Sequence, residues 1–328
     1  MRKLAHIVKI AEPNAKELDR LLAARTYDLI YCFGLHQVSP GSLMPATRRE
    51  IPILWHVGDH FLANHFQLRK ASRLYTLMLD RVLRKWHQME RSVDYSHMAF
   101  VSQFLLDYFK QMDFPLKNTY VVPRGIDFPI GKDFDRTRQT PASFLIACRF
   151  DSTKGVHIGI EAARLLRLRR PDLDWQIRIA GTGDPTYVFE LKRAIAEGQL
   201  EGHVQFIGKL SRPETLLAMR EATAFLSTSI WGEPFANTII ETLASGTPLI
   251  GADSGSILEV VRDGESALIY KKADAELLSR HMESILTDPP LSRRLTENGI
   301  KVIEERYTMD RILDITEDLF QKVVSERG

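Results

Sequence analysis

The sequence predicts an α/β protein of two domains, each a mostly parallel sheet flanked by helices. Short apolar, β-rich runs alternate with longer stretches of helical period, the pattern of repeated βαβ units. A chain of 328 residues suffices for two domains at about 150 residues each. The composition, 44% apolar and 26% charged, excludes disordered, collagen-like and coiled-coil chains.

In the first part the candidate strands are 28–33, 53–57, 98–101 and 120–122, separated by helical stretches such as 62–92. Four strands give a thin α/β domain over residues 1–127. Residues 128–141 are charged, bracketed by Pro129 and Pro141 and without sustained apolar period, so the linker is expected there. The second domain, 142–309, carries candidate strands 143–148, 175–180, 204–207, 223–227, 248–251 and 267–270. Its clearest helix is 155–170, where Val156, Ile160, Ala163 and Leu166 recur at helical spacing and Pro171 ends it. The segment 310–328 holds a last helix, about 310–324, expected to cross back to the first domain with Leu313, Leu319, Phe320 and Val323 buried.

Charge excludes some functions. The formal net charge of +2 is too balanced for a dedicated nucleic-acid binder. Residues 1–127 hold 18 Lys and Arg against 12 Asp and Glu, whereas the remainder holds 26 against 30. Cys32 and Cys148 lie in apolar runs and read as buried small hydrophobes in a reducing cytoplasm. No run approaches the roughly 18 apolar residues of a membrane span, and no secretory signal is evident. The stretch 67–91 is basic and amphipathic, suited either to an anionic membrane surface or to packing on the first domain with a solvated basic face.

In an open parallel sheet, ligands bind beyond the carboxyl ends of the strands. Arg149, Lys154 and Gly155 follow the first strand of the second domain, placing two cations and a helix start on one rim, a combination suited to phosphate. Gly181-Thr-Gly183-Asp184 follows the second, either letting backbone approach a ligand or forming an ordinary strand-to-helix turn. The fourth is followed by Glu233-Pro-Phe-Ala-Asn-Thr-Ile-Ile-Glu241, with a helix bracketed at about 235–245 by Pro234 and Gly246. Ile239, Ile240, Leu243 and Ala244 form its buried stripe, while Asn237, Thr238 and Glu241 share the other face. The two carboxylates suit sugar hydroxyls; alternatively Glu233 caps the helix dipole and Glu241 is solvated. Asp253-Ser-Gly-Ser256 is another small turn on the same edge. Together these loops suit a nucleotide diphosphate carrying a group rich in hydroxyls.

These residues resemble the GT-B glycosyltransferases, specifically the retaining glycosyltransferase family 4. The resemblance rests on Arg149-Phe-Asp-Ser-Thr-Lys154-Gly155, Ala180-Gly-Thr-Gly-Asp184, Val204-Gln-Phe-Ile-Gly208, the E-x7-E pattern from Glu233 to Glu241, and Val122-Pro-Arg-Gly-Ile-Asp127. It implies two Rossmann-like domains facing a cleft, with an acceptor side in 1–127 and a nucleotide-sugar donor site in 142–309. Arg149 and Lys154 would hold and neutralise the leaving diphosphate, Glu233 the donor sugar and Glu241 the ribose. Gly181 and Gly183 would lie along the donor, Gly208, Lys209 and Leu210 would meet the base, and Phe235, Ala236, Asn237 and Thr238 would contact sugar or phosphate. The implied activity is hexosyl-type transfer to a hydroxyl of a lipid-linked or polysaccharide acceptor, without metal or other cofactor and without a dedicated protein base.

The sequence departs from the family pattern in its first part. Only 26 residues precede Tyr27-Asp-Leu-Ile-Tyr-Cys-Phe-Gly34, where the family has further strands and a Gly-rich loop. This leaves three readings: a truncated piece, a subunit completed by a partner chain, or a nucleotide-sugar binder without transfer. A sugar phosphorylase of the same fold is the enzymatic alternative. Gly58 stands where many members carry His before Asp59, and His60 follows; Asp59 and His60 remain as acceptor-side candidates. Ala236 replaces a usual Gly, and Arg124 a usual Asn. Asp172-Leu-Asp174 mimics a metal motif but sits before a strand, at the wrong end for a ligand, and His6, His36, His97, His157 and His203 show no metal-ligand spacing.

Overall fold

The computed structural model describes residues 2–34, 39–64, 66, 89–131, 141–235 and 237–326. They form two compact units, one of residues Met1–Pro123 with Ile312–Gly328, the other of Arg124–Arg311. The division falls before the segment 128–141 expected as linker, and residues 132–140 of that segment lie outside the described residues. Residues 126–131 are tied into the second unit: the Ile126 amide donates to the Tyr307 carbonyl at 2.7 Å and the Gly131 amide to the Ala244 carbonyl at 2.8 Å.

The first unit holds α1 (Arg2–Ala24), β1 (Ile30–Phe33), α2 (Met44–Arg48), β2 (Ile53–Val57), β3 (His97–Phe100), α3 (Gln103–Gln111) and β4 (Asn118–Val121). The strands lie in chain order β1-β2-β3-β4, all parallel, with Trp55 opposite Cys32 and Met98. β2 and β3 are buried along their whole length, as expected of central parallel strands covered on both faces. Ser102 caps α3 by accepting from the Leu105 amide. The stretch 67–88, most of the basic helix expected at 67–91, lies outside the described residues.

The second unit holds β5 (Ala142–Ala147), α4 (Val156–Arg169), β6 (Trp175–Ala180), α5 (Pro185–Glu197), β7 (Val204–Gly208), α6 (Arg212–Glu221), β8 (Ala224–Ser227), α7 (Asn237–Ala244), β9 (Leu249–Ala252), α8 (Ile257–Val260), β10 (Leu268–Tyr270), α9 (Ala275–Thr287) and α10 (Pro289–Arg306). The six strands are parallel in the order β10-β9-β8-β5-β6-β7, which reverses direction between β5 and β8. Alternation along β5 feeds two cores. Phe144 and Ile146 pack with Val156, Ile160 and Leu166 of α4 and Leu191 of α5 on one face, while Leu145 packs with Phe225, Ile240 and Leu243 on the other.

α11 (Met309–Ser325) starts in the second unit and runs from Ile312 onward within the first. Ile312, Leu319 and Val323 form its buried stripe with Leu54, Ala99 and Val122. Leu313, expected on that face, is instead 57% exposed, because the step from Ile312 turns it about 100° out of the stripe. Phe320 is partly buried, its ring 5.0 Å from that of Tyr31. Cys32 is buried and Cys148 partly so; burial pushes both thiols up to about 12, which keeps them protonated at neutral pH.

His157, in the first turn of α4, bonds the Tyr187 hydroxyl through Nδ1 at 2.7 Å, and burial lowers its pKa. The unfolded chain therefore takes up this proton more readily, so His157 contributes stability above about pH 6.5 that is lost as pH falls toward the lower native value. Thermal unfolding from pH 7.5 to 5.5 should show a smaller loss of stability in His157→Gln than in the parent chain; equal losses would exclude this contribution.

Candidate functional site

The reversal between β5 and β8 places the loops after these neighbouring strands side by side at the carboxyl edge. Helices α4 and α7 then leave toward opposite faces, which opens a crevice at that point. Asp151 organises the first loop. Its carboxylate accepts the Thr153 amide at 3.0 Å and the Arg149 Nε–H at 2.7 Å, shaping the 3-10 turn Ser152–Lys154. Burial raises its pKa, but the hydrogen bonds from Thr153 and Arg149 outweigh this and hold it below the ordinary carboxylate range. Arg149 is 74% exposed, so its pairing with Asp151 is weakly held and the guanidinium is available to a ligand.

Gly155 ends this turn with φ +63° and starts α4. A Cβ there would lie 2.0 Å from the Thr228 carbonyl oxygen, so only glycine lets the two loops close on each other. The Lys154 ammonium reaches across to Glu233 Oε1, which also accepts the Ser229 hydroxyl at 2.9 Å. Both charged side chains are about one-fifth exposed. This ion pair bridges the two strands at which the sheet order reverses.

The Glu233 loop is backed by the turn after β9. The Ser256 amide donates to the Glu233 carbonyl at 3.1 Å and the Ser254 hydroxyl to the Trp231 carbonyl. Gly255 fits beneath it with φ +64°; a Cβ would approach the Glu233 backbone nitrogen to 2.3 Å. Asn237 and Thr238 open α7, where the first amides lack intrahelical partners. Ala236 lies outside the described residues, and Phe235 packs against the core beside Tyr307.

Glu241, one turn into α7, is neither solvated nor alone. Its Oε1 accepts the Arg212 Nε–H at 3.2 Å, and its side chain is 15% exposed. The terminal nitrogens of Arg212 hold Asp127 in a two-pronged bond of 2.7 and 3.1 Å. The guanidinium keeps Asp127 below the ordinary carboxylate range, and Asp127, with a smaller contribution from Glu241, raises the pKa of Arg212. Arg212 belongs to no motif in the sequence that points to a ligand, although Ser211-Arg-Pro-Glu214 is a capping box that announces a helix start on this edge.

Gly208 and Lys209 are exposed and Leu210 packs on the core, all at the end of β7. Gly181 and Gly183 leave no open space where their Cβ atoms are missing. The space is filled by the neighbouring loop: a Cβ would lie 1.9 Å from the Cys148 and Phe150 carbonyl oxygens respectively. Asp59 and His60 belong to the first unit. Asp59 accepts the Phe61 amide at 2.6 Å, and the His60 ring lies edge-on to Tyr108 at 4.4 Å. His56 bonds the Tyr31 hydroxyl and the Val122 carbonyl.

Asp172, at the opposite end of the second sheet, is held by both prongs of Arg170. His36 and the side chain of His6 lie outside the described residues; among the described residues no three His, Cys, Asp or Glu side chains are grouped to hold a metal ion. No described helix is long and apolar enough to cross a membrane. A cavity of about 460 Å³ in the first unit, lined in part by Glu12, Met44, Arg48 and Met89, borders none of the candidate residues.

The second unit is doubly wound, and the Lys154 and Glu233 pair lies at its switch point, where ligands of open α/β sheets bind. The model of the family glycosyl transferases group 1 matches residues 132–302, more than half of the chain, and the protein belongs to that family. It is 31% identical over 134 residues to a phosphatidyl-myo-inositol mannosyltransferase of Mycobacterium leprae (strain TN), covering 41% of this chain and 34% of that protein. It is also 31% identical over 176 residues to a glycogen synthase of Mycobacterium tuberculosis (strain CDC 1551 / Oshkosh), covering 53% and 40%. These matches thus span well under half of each relative's length. Among solved structures, Anabaena HepE in complex with UDP is similar with a TM-score of 0.75 at 20% identity, covering 94% of this chain and 82% of that one. Sucrose-phosphate synthase from Thermosynechococcus elongatus gives 0.71 at 20% identity, covering 98% and 79%. The fold is GT-B.

Gly255→Ala should lower stability by about 1–3 kcal/mol, because the new methyl must displace the Glu233 backbone. Denaturant titration checks this, and an unchanged midpoint would contradict the packing of the two turns.

Proposed function

We propose that the protein transfers a sugar, with retention of configuration, from a nucleoside diphosphate sugar to an acceptor hydroxyl. The crevice of the second unit is the donor site. The observation that carries this reading is the Lys154 and Glu233 pair across the switch point, with Arg149 on the Lys154 loop, in a chain of the glycosyl transferases group 1 family. UDP in the complex of the similar HepE supports a nucleotide in this role.

Arg149 and Lys154 are paired with carboxylates of the chain, so donor binding exchanges partners. The diphosphate draws Arg149 from Asp151 and Lys154 from Glu233. Glu233 is thereby released to accept hydrogen bonds from the donor sugar, and Glu241 accepts those of the ribose. Backbone at Gly208, Lys209 and Leu210 meets the base. Amides of Phe235, Ala236, Asn237 and Thr238 are assigned to sugar or phosphate, and the Gly181 and Gly183 turn supports the Arg149 loop.

During transfer the bond from the anomeric carbon to the diphosphate oxygen breaks, and the acceptor oxygen forms its bond on the same face. The acceptor proton passes to the departing phosphate oxygen, so no protein base is required. The growing negative charge on the diphosphate is stabilised by Arg149 and Lys154, and catalysis is mainly positioning and charge stabilisation. The acceptor is a lipid-linked or polysaccharide hydroxyl, with Asp59 and His60 assigned to its side. The transfer takes place in the cytoplasm, at its membrane face where the acceptor is lipid-linked, and uses no metal.

Nucleotide release from a panel of UDP-, GDP- and ADP-linked sugars tests this reading. With the donor that supports turnover, Arg149→Ala should reduce kcat by roughly 10²–10³-fold, the range for losing one donor to a developing oxyanion, with a much smaller change in donor KM. Turnover that survives the substitution, or an effect confined to KM, would contradict the role of Arg149 on the leaving group.

A further inference from the structure

Arg212 lies between two carboxylates contributed by separate parts of the second unit. Its backbone is fixed at the first turn of α6 by the Ser211 and Glu214 capping box, and the helix continues into Pro213. Its terminal nitrogens are both spent on Asp127, which follows Ile126; the Ile126 amide is bonded to the Tyr307 carbonyl, and the Ile126 carbonyl to the Met309 amide at 3.1 Å. The Nε–H donates to Glu241 and reaches Oε1 alone. Among the described residues Oε2 of Glu241 makes no hydrogen bond, and each carboxylate oxygen can accept two.

We propose that Arg212 is a positioning residue for the nucleotide's ribose: anchored by Asp127, it fixes the Glu241 carboxylate so that Oε2 and the second lone pair of Oε1 meet the two ribose hydroxyls together. The inference rests on the reading of Glu241 as the ribose ligand. A glutamate has three side-chain torsions to immobilise, and a planar guanidinium held at its fork gives up little further freedom in fixing it. Lysine cannot replace it, since one ammonium on a flexible stem does not present separate edges to two carboxylates. Without the cation, Asp127 and Glu241 also lose the positive charge they share.

The test is isothermal calorimetry of the full chain with UDP, GDP and ADP, their 2′-deoxy counterparts and pyrophosphate. The parent chain should bind one ribonucleotide about tenfold or more tightly than its deoxy form, as expected of hydrogen bonds to a charged group. Arg212→Ala should cut that ratio at least threefold, toward the value shown by Glu241→Gln, with pyrophosphate affinity unchanged. Arg212→Lys should restore less than half of the lost ratio. A ratio unchanged in Arg212→Ala, or an equal loss for ribonucleotide, deoxynucleotide and pyrophosphate, would overturn the assignment. If the parent chain binds none of the nucleotides, the functional reading itself fails, and the inference with it.

Discussion

The site depends on the reversal of strand order between β5 and β8. Two strands far apart in sequence become neighbours there, and the helices that follow them leave toward opposite faces. Their carboxyl ends are thus left uncovered by either helix layer. The two loops must close tightly for their side chains to meet, and Gly155, with no Cβ to strike Thr228, permits it. The Lys154 and Glu233 pair then spans the join. Because each member is only about one-fifth exposed, loss of either would leave a poorly solvated charge, so the pair fixes the relation of the two loops as well as their chemistry.

The site is a set of cations matched with carboxylates: Arg149 with Asp151, Lys154 with Glu233, and Arg212 with Asp127 and Glu241. Such a site has little excess charge to repel itself. In the proposed function a diphosphate replaces carboxylate around Arg149 and Lys154, while Arg212 keeps Asp127 and Glu241. The net gain in affinity is smaller than the gross attraction between cations and phosphate. The two loops that carry Lys154 and Glu233 are, however, already held against each other, which limits the rearrangement that binding requires. Asp151 couples the two functions, since one carboxylate both shapes the turn and holds Arg149.

The sheets were legible because parallel strands buried on both faces announce themselves as short apolar runs. The strands Ile53–Val57 and Trp175–Ala180 match the expected spans 53–57 and 175–180. The rule that loops after parallel strands share an edge also anticipates the meeting of Lys154 with Glu233. Contacts between loops distant in sequence were not legible. Nothing in Gly181-Thr-Gly183 says that the Cys148 and Phe150 carbonyls fill the space, and nothing in Arg212 says that Asp127, 85 residues away, will hold its fork. α1 was hidden by Pro13, which interrupts the helical signal though the helix continues past it. Leu313 was misplaced because apolar character was counted without tracking the 100° step that decides which face a residue takes.

The central claim is that the switch-point crevice is a preformed site for a nucleoside diphosphate. Heat unfolding of the purified chain with UDP, GDP, ADP or inorganic phosphate, each at matched concentration, tests it most directly. A ligand at ~100 times its dissociation constant adds about 2.7 kcal/mol to stability. The account predicts a clear rise in Tm with one of the diphosphates, a much smaller one with inorganic phosphate, and loss of the rise in Lys154→Ala. No rise with any nucleotide, or a rise that Lys154→Ala leaves intact, would contradict it.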